Sequence, residues 1–521
     1  MRTRSMSQRE KEKLPSPHLH SDRNTVSVST RNKMRRRTQR ERDKLSNLPD
    51  EIRFKIASFL NLKEAIRITV LSKKWRRIIS SLPCLDFRRY EGMPFKFEEY
   101  RDIINCILLC HDDSPVDKFS LITAVDGNHI TRDRVDKWIS FAVTHKVQDL
   151  HLSFRIYPCS NFSRDLQNQA KSLATRQELP RSLLNCTTLS ILSLGSINLY
   201  HPVTFSFPLL KSLTLTKVEI LAKKSIQELS LSCDNNLLEK LVINRVICRS
   251  PLTISGANVK CLTLTGVQGK DRTIKLSMPS LLEFHFKGQK AVNISLDTTM
   301  SVWKADFYFQ PPLSTPKIGF RTVWANNLTM GLCNVEMLTL STFDIKLLTG
   351  DQLLEGSIPI PYCSVKHLTF KSNLDDNQVN LLSFIVRRFP NLHTLIIHKE
   401  EAHSSKKVKK KEGRLLGEVP GGDALKHIQL SNKVENEDGW LLGEGPGGDA
   451  LKHVKKIGIY SFGGSEAEVN LVRYLFDKAS VLERMDIHYS PCSDDKYKMI
   501  STQLMSFGKS SPNISIIKQY N

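Results

Sequence analysis

One pattern recurs through most of the chain and limits what it can fold into. An apolar residue is followed by two free positions, a second apolar residue, one free position and a third apolar residue. It occurs as Val116-Phe119-Leu121, Val147-Leu150-Leu152, Leu189-Leu192-Leu194, Leu210-Leu213-Leu215, Leu238-Leu241-Ile243, Val259-Leu262-Leu264 and Leu281-Phe284-Phe286. It returns as Val335-Leu338-Leu340, Val365-Leu368-Phe370 and Leu392-Leu395-Ile397. The closing alternation is that of a short strand with every second side chain on one side. Such a strand cannot bury its apolar side alone, so successive copies must stack, and the chain reads as a solenoid. The best-spaced copies begin about 21 to 28 residues apart, which is one turn of an array of this kind.

Two copies extend further, as Ile197-x-Leu199 and Val218-x-Ile220, and a degenerate copy is expected near Val302, Ala305 and Phe307. The units resemble leucine-rich repeats, with Ile or Val where that family usually carries its ladder Asn, so the array is irregular. The leucines themselves are core. Recognition falls to the free positions, which in such arrays line an extended concave surface. Ser190, Ser193, Lys211, Thr214, Lys240, Val242, Lys260, Thr263, His285, Thr339 and His367 hold those positions, a mixture suited to a protein partner.

A different period governs residues 45–87. Pro49 suits a first helical turn, with Asp50 and Glu51 at its positive end. Ile52, Ile56, Phe59 and Leu60 then recur at helical spacing. A second helix is expected from Lys63 to Val70 and a third from the N-cap Ser72, with Trp75 and Ile78 or Ile79 on one face. So small a segment encloses too little volume to bury this much apolar surface. Either the next domain or a partner covers it. Leu48-Pro49-Asp50-Glu51-Ile52, Ile56-x-x-Phe59-Leu60 and Val70-Leu71-Ser72-Lys73-Lys74-Trp75-Arg76 together resemble an F-box of the plant type. The resemblance implies docking on the Skp-type adaptor of a cullin–RING ubiquitin ligase, with Leu48, Pro49, Ile52, Ile56, Phe59, Leu60, Leu71, Ser72 and Trp75 as the adaptor-binding set.

Near the C-terminus the strand pattern returns as Val454-x-x-Ile457-x-Ile459 and Leu482-x-x-Met485-x-Ile487. A helix is expected between them, with Ser465 as its cap and Glu466 and Glu468 in its first turn. Ile457-Gly-Ile459-Tyr-Ser-Phe462-Gly463-Gly464, Glu468-x-x-Leu471-Val472-x-Tyr474-Leu475 and Ala479-Ser-Val481-Leu482-Glu483-x-Met485 resemble the FBD domain, which follows F-box and leucine-rich repeats in a large plant family. The family's Trp- and Pro-containing approach to that domain is reduced here to Trp440 and the Pro420 and Pro446 turns. Just before it, Gly413–Ile428 returns nearly unchanged at Gly439–Val454. The Gly-rich turn lacks the lysine and Ser or Thr of a phosphate-binding loop, so a solvated insertion is expected.

The expected fold is therefore α/β: a small helical F-box, an irregular leucine-rich-repeat solenoid and a C-terminal FBD strand-helix-strand block. Its divisions are a disordered basic arm (1–44), the F-box (45–87), the solenoid (88–399), the insertion with its local duplication (400–448), the FBD (449–500) and a C-terminal tail (501–521).

The net charge of +23 invites a nucleic-acid reading. Its distribution weakens that reading, since much of the excess lies in the arm and in Lys406 to Lys411, and aromatic residues make up only 7%. Within the arm Lys33, Arg35, Arg36 and Arg37 form a cluster that reads either as a nuclear-import signal or as a solubilising tail. Eleven scattered cysteines indicate a reducing compartment and mostly buried free thiols. Five Asn-x-Ser/Thr sequons, at Asn161, Asn185, Asn293, Asn327 and Asn513, point the other way, but no apolar leader precedes them. No apolar stretch approaches the ~20 residues that span a bilayer. Cys106, Cys110 and His111 have no second ligand pair nearby, so they are expected as core cysteines and not as a metal site.

No nucleophile, catalytic site, metal site or cofactor is expected. The sequence is read as the substrate-selecting, non-catalytic subunit of a Skp–cullin–F-box ligase in the nucleus and/or cytoplasm. Its partners would be the adaptor, through it cullin and RING subunits, and an unknown target protein, with no membrane and no nucleic acid. The alternative is a nuclear scaffold or nucleic-acid-associated repeat protein that works through its basic arm.

Overall fold

The computed structural model describes residues 45, 47–60, 64, 67–68, 72–88, 97–123, 130–154, 179, 181–223, 226–233, 237–268, 273–289, 293–297, 301–310, 334–341, 363–372, 382, 386, 389–399, 451–490, 494–507 and 514–518. The arm with Lys33, Arg35, Arg36 and Arg37, most of the expected second F-box helix with Leu71, and the 400–448 insertion lie outside the described residues. The chain divides into two compact units, residues 1–84 with 109–114, and residues 85–108 with 115–521.

In the smaller unit, helix α1 (Asp50–Phe59) follows Pro49, which occupies the N-cap position. Helix α2 (Lys73–Ser80) begins at Ser72, whose hydroxyl accepts a hydrogen bond from the Trp75 N–H. Its Trp75 and Ile78 are buried while Lys73, Lys74, Arg76 and Arg77 face water. Residues 109–114 are tied to the end of α2, because the Asp112 N–H donates to the Ser80 carbonyl at 2.8 Å.

The larger unit is a stack of parallel strands. Its main sheet runs β1 (Cys84–Arg88), β2 (Lys118–Thr123), β3 (Asp149–Phe154), β4 (Ile191–Gly195), β7 (Ser212–Leu221), β9 (Lys240–Cys248), β11 (Cys261–Thr265) and β13 (Glu283–Gln289). It continues through β15 (Lys304–Gln310), β16 (Met337–Ser341), β17 (His367–Ser372), β18 (Thr394–Lys399), β19 (Lys456–Phe462), β20 (Arg484–Tyr489) and β21 (Ile514–Lys518). A short strand β5 (Asn198–Tyr200) pairs with β7. The repeat pattern is the cause of this order. Leu192, Leu213, Leu241, Leu262 and Phe284 are successive register partners, and each has no exposed surface. The degenerate copy is β15, with Ala305 and Phe307 in the same buried columns.

The sequence pattern did not disclose a second, five-stranded parallel sheet. It consists of β6 (Val203–Thr204), β8 (Leu229–Ser232), β10 (Leu252–Ser255), β12 (Thr273–Ser277) and β14 (Asn293–Leu296). Leu231, Ile254, Leu276 and Leu296 point into the core from these strands. At the bend leaving the main sheet, four consecutive turns place a residue of positive φ: Ser196, Lys217, Arg245 and Gly266. Each is followed by a buried Ile197, Val218, Val246 or Val267, the position where the ladder Asn is missing.

Outside this middle stretch, helices take the place of the second sheet. Helix α4 (Arg132–Thr144), capped by Thr131, buries Val135, Trp138, Ile139 and Ala142. It follows α3 (Phe97–Cys110), whose Asn105 accepts a hydrogen bond from the Trp138 indole at 2.9 Å. Helix α5 (Glu466–Lys478) lies between β19 and β20, and α6 (Asp494–Phe507) between β20 and β21. No described helix is long and apolar enough to cross a membrane.

The expected C-terminal strand-helix-strand is present as β19, α5 and β20, and it joins the main sheet, since Leu395 and Ile397 of β18 pair in register with Ile457 and Ile459 of β19. Two expectations are corrected. The expected tail contains the second half of α6 and the strand β21, which pairs with β20. Cys106 and Cys110 are exposed, as is Cys363, and among the described cysteines only Cys186, Cys233 and Cys248 are buried. The helical period around Cys106 and Cys110 marked a helix correctly but did not say which of its sides faces inward.

Candidate functional site

Two surfaces hold the residues that the sequence singles out. The first is the outer side of α1. Arg53 and Ala57 turn inward, and Arg53 is fixed there by donating to the Leu48 carbonyl at 2.9 Å and by an ion pair with Asp50. The expected stripe consequently faces out. Phe59 is 79% exposed and Ile52 46%, with Phe54 and Pro49 also exposed. Leu48, Ile56 and Leu60 are half-buried, and Leu60 is the extended C-cap, not part of the helix. Ser72 is half-buried and spends its hydroxyl on the cap of α2. Trp75, expected with the adaptor-binding set, is 1% exposed and offers no surface, so its place is in the core of the unit.

The second is the outer face of the main sheet, where the free positions of the repeat align in rows. One row reads Ser193, Thr214, Val242, Thr263, His285, Asp306, Thr339, Thr369 and Ile396 across successive strands. The adjacent row contains Lys240, Cys261, Glu283, Lys304, Met337 and His367. Sequence reasoning named part of both rows and missed Cys261, Glu283 and Asp306. Spacing within one repeat marks which positions face out, but only the register shows which of them meet.

The centre of this face is polar and coupled. His285 Nδ1 lies 2.6 Å from Asp306 Oδ2, and His285 Nε2 lies 3.4 Å from Glu283 Oε2. The Asp306 hydrogen bond raises the His285 pKa above the ordinary value, against the opposing effect of burial. Burial works against the ionised Asp306, but hydrogen bonds from His285 and Thr339 outweigh it and leave its pKa lowered. Burial and the Glu283 charge push the Cys261 thiol up.

Towards the last strands the same face becomes aromatic. His398, Tyr460 and His488 stack in sequence, with ring centroids 4.6 and 4.4 Å apart. Gly458 makes room for this, because a Cβ there would lie 3.1 Å from Tyr460 Cε2. Burial, followed by the Lys371 and His488 charges, lowers the His398 pKa. Behind these strands, the Glu468 carboxylate is fully buried. It accepts from Lys399 Nζ at 2.7 Å, the Ser465 N–H at 2.8 Å, the Ser465 hydroxyl at 3.0 Å and the Gly463 N–H at 3.2 Å. This is the physical content of the Phe462-Gly463-Gly464-Ser465-x-x-Glu468 run: a capping box whose acid also receives a lysine from the previous strand.

Comparison with known proteins finds matches in both regions of the chain. The F-box domain model matches residues 45–87, and the model for the leucine-rich repeats of the FBD-associated F-box protein At5g56370 matches residues 135–306. The chain is therefore an F-box protein built on leucine-rich repeats. Over 472 residues it is 26% identical to F-box protein At3g59000 of Arabidopsis thaliana, which covers 86% of each chain. It is 30% identical over 259 residues to F-box protein At3g03040 of the same plant, 46% of this chain and 50% of that one. To FBD-associated F-box protein At4g10400, also from Arabidopsis thaliana, it is 29% identical over 245 residues, 46% of this chain and 55% of that one. Its matched domains, and the relatives it resembles, are those of plant F-box, FBD and leucine-rich-repeat proteins.

Proposed function

We propose that this protein is the substrate-recognition subunit of a Skp–cullin–F-box ubiquitin ligase. The F-box docks on the Skp-type adaptor, which brings the cullin and RING subunits, and the outer face of the main sheet holds a target protein. The observation that carries this reading is the outer side of α1. Ile52 and Phe59, seven residues apart and so on one side of the helix, stand in solvent while Arg53 and Ala57 turn inward, an arrangement suited to helix docking by a partner. The chain then works by proximity, raising the effective concentration of the target near a ubiquitin thioester carried by another subunit. No residue of its own needs to react.

Co-purification of the full chain with a Skp-type adaptor tests the reading. The variant Ile52→Asp/Phe59→Asp, whose side chains are exposed and whose fold is checked by circular dichroism, is expected to lose the adaptor. Wild type failing to bind any adaptor, or the folded variant binding unchanged, would sink the proposal. Location in the nucleus and/or cytoplasm goes with this function and rests on the basic cluster Lys33, Arg35, Arg36 and Arg37. A fluorescent fusion should leave the nucleus when these four become Ala.

A further inference from the structure

The outer face of the main sheet contains one cluster that adaptor docking does not use. Cys261 on β11 and Glu283 on β13 are register partners, and His285 lies two residues further along β13 on the same side. One ligand atom from each, the thiol sulfur, a carboxylate oxygen and a ring nitrogen, lie within 4.8 Å of one another. The other ring nitrogen of His285 is held by Asp306 from the next strand at 2.6 Å.

We propose that Cys261, Glu283 and His285 form a binding site for a divalent transition-metal ion, best matched by zinc, with Asp306 as the positioning residue behind the imidazole. Thiolate, imidazole and carboxylate are the three ligand types zinc accepts, at bonds of about 2.0–2.3 Å. Tetrahedral bonds of that length set ligand atoms about 3.3–3.8 Å apart. The observed atoms must close by roughly 1 Å, which rotation of part-exposed side chains on a fixed sheet supplies. Magnesium and calcium are disfavoured because they require oxygen ligands throughout.

The Asp306 contact distinguishes this cluster from a chance meeting of polar groups. A metal-bound histidine characteristically gives its second ring N–H to a carboxylate, which fixes the tautomer and aims the free nitrogen at the ion. Here that carboxylate is in place, and the free Nε2 is turned towards Glu283. Lys304 Nζ, 3.7 Å from Glu283 Oε2, is the cation an entering ion would displace. With three protein ligands the fourth position stays open to water. Binding requires the Cys261 thiol to release its proton to solvent.

The test uses the full chain, stripped by a chelator, kept reduced with a non-thiol reductant and titrated with Co²⁺ and then Zn²⁺. One Co²⁺ per chain is expected at this site, with the intense visible bands of tetrahedral cobalt and a thiolate charge-transfer band, both removed by Zn²⁺. Cys261→Ser should abolish the charge-transfer band, and Asp306→Asn should weaken binding about 10–100-fold. Lys304→Gln should tighten it. Absence of tight binding in wild type, or a thiolate band that survives Cys261→Ser, would overturn the assignment. Asp306→Asn preserves size and is not a ligand, so an unchanged affinity in that variant overturns the role given to Asp306 even if a ligand variant folds poorly.

Discussion

A turn of the middle solenoid runs from Lys240 to Cys261, and a turn near its C-terminal end runs from Lys456 to Arg484. Both begin with a parallel strand that turns two apolar side chains inward, Leu241 and Ile243 in one and Ile457 and Ile459 in the other. They differ in the element that follows that strand before the next one begins. In the middle it is β10, four residues spanning about 13 Å. At the end it is α5, thirteen residues spanning about 20 Å. The extra seven residues of the longer turn are the difference between a strand and a helix. The two covers also impose different demands. A stacked strand has its backbone groups satisfied by the next turn, whereas every helix exposes free N–H groups at its start. The middle therefore rests on many equivalent apolar contacts, and the end rests on Ser465 and the buried Glu468.

The comparison can be broken at either region. The largest effect is expected from Ile254→Ala in the second sheet, where a fully buried side chain leaves a cavity costing about 2–5 kcal/mol. Because neighbouring turns share that core, hydrogen exchange should rise in β8, β10 and β12 together. Glu468→Ala should cost about 2–4 kcal/mol, since it strands buried donors and the Lys399 ammonium. Exchange measured on the same chain should speed up from β19 to α6 while the middle strands keep their protection; loss spreading to β9–β13 would contradict the division drawn here.

Gly464→Ala tests the capping loop more gently. The residue has φ +70°, and an added Cβ would meet Ile500 Cδ1, so a loss of about 1–3 kcal/mol is expected in the same exchange experiment. Pairing it with Ile500→Ala should remove the collision but not the backbone strain. The smallest effect is a pH dependence. Folding lowers the His398 pKa, through burial and then the Lys371 and His488 charges, so the unfolded chain binds its proton more readily. The contribution is full above the ordinary histidine value of about 6.5 and is lost as the pH falls below it. Unfolding monitored at Tyr460, which stacks on His398, should show this slope in wild type and a flatter one in His398→Gln.

The main sheet was legible in the sequence because its signature has three apolar positions per turn and recurs at a regular interval. The second sheet was not. Leu229–Ser232 and Leu252–Ser255 each carry two apolar residues separated by Ser or Thr, too short a signal to distinguish from a polar connection. The left-handed bends were hidden for a related reason, since Lys217 and Arg245 occupy positions that usually announce themselves with glycine. Of the F-box set, helical spacing placed Ile52 and Phe59 on one side of α1 without saying that Trp75 would be enclosed. The Cys261, Glu283, His285 and Asp306 cluster could not be read at all, because three strands contribute to it and parallel register alone unites them.

That register has a consequence for how such a chain can change. Thr394 to His398 on β18 pair with Lys456 to Tyr460 on β19 although more than fifty residues separate the two strands in sequence. The sheet fixes where the polypeptide departs and where it must return, and places no condition on the distance travelled between. For a connection bound only by its two ends, doubling the length costs about 0.6 kcal/mol. A tandem copy such as the one recorded at 413–428 and 439–454 can then enter the gene between two paired strands and leave their register unaltered.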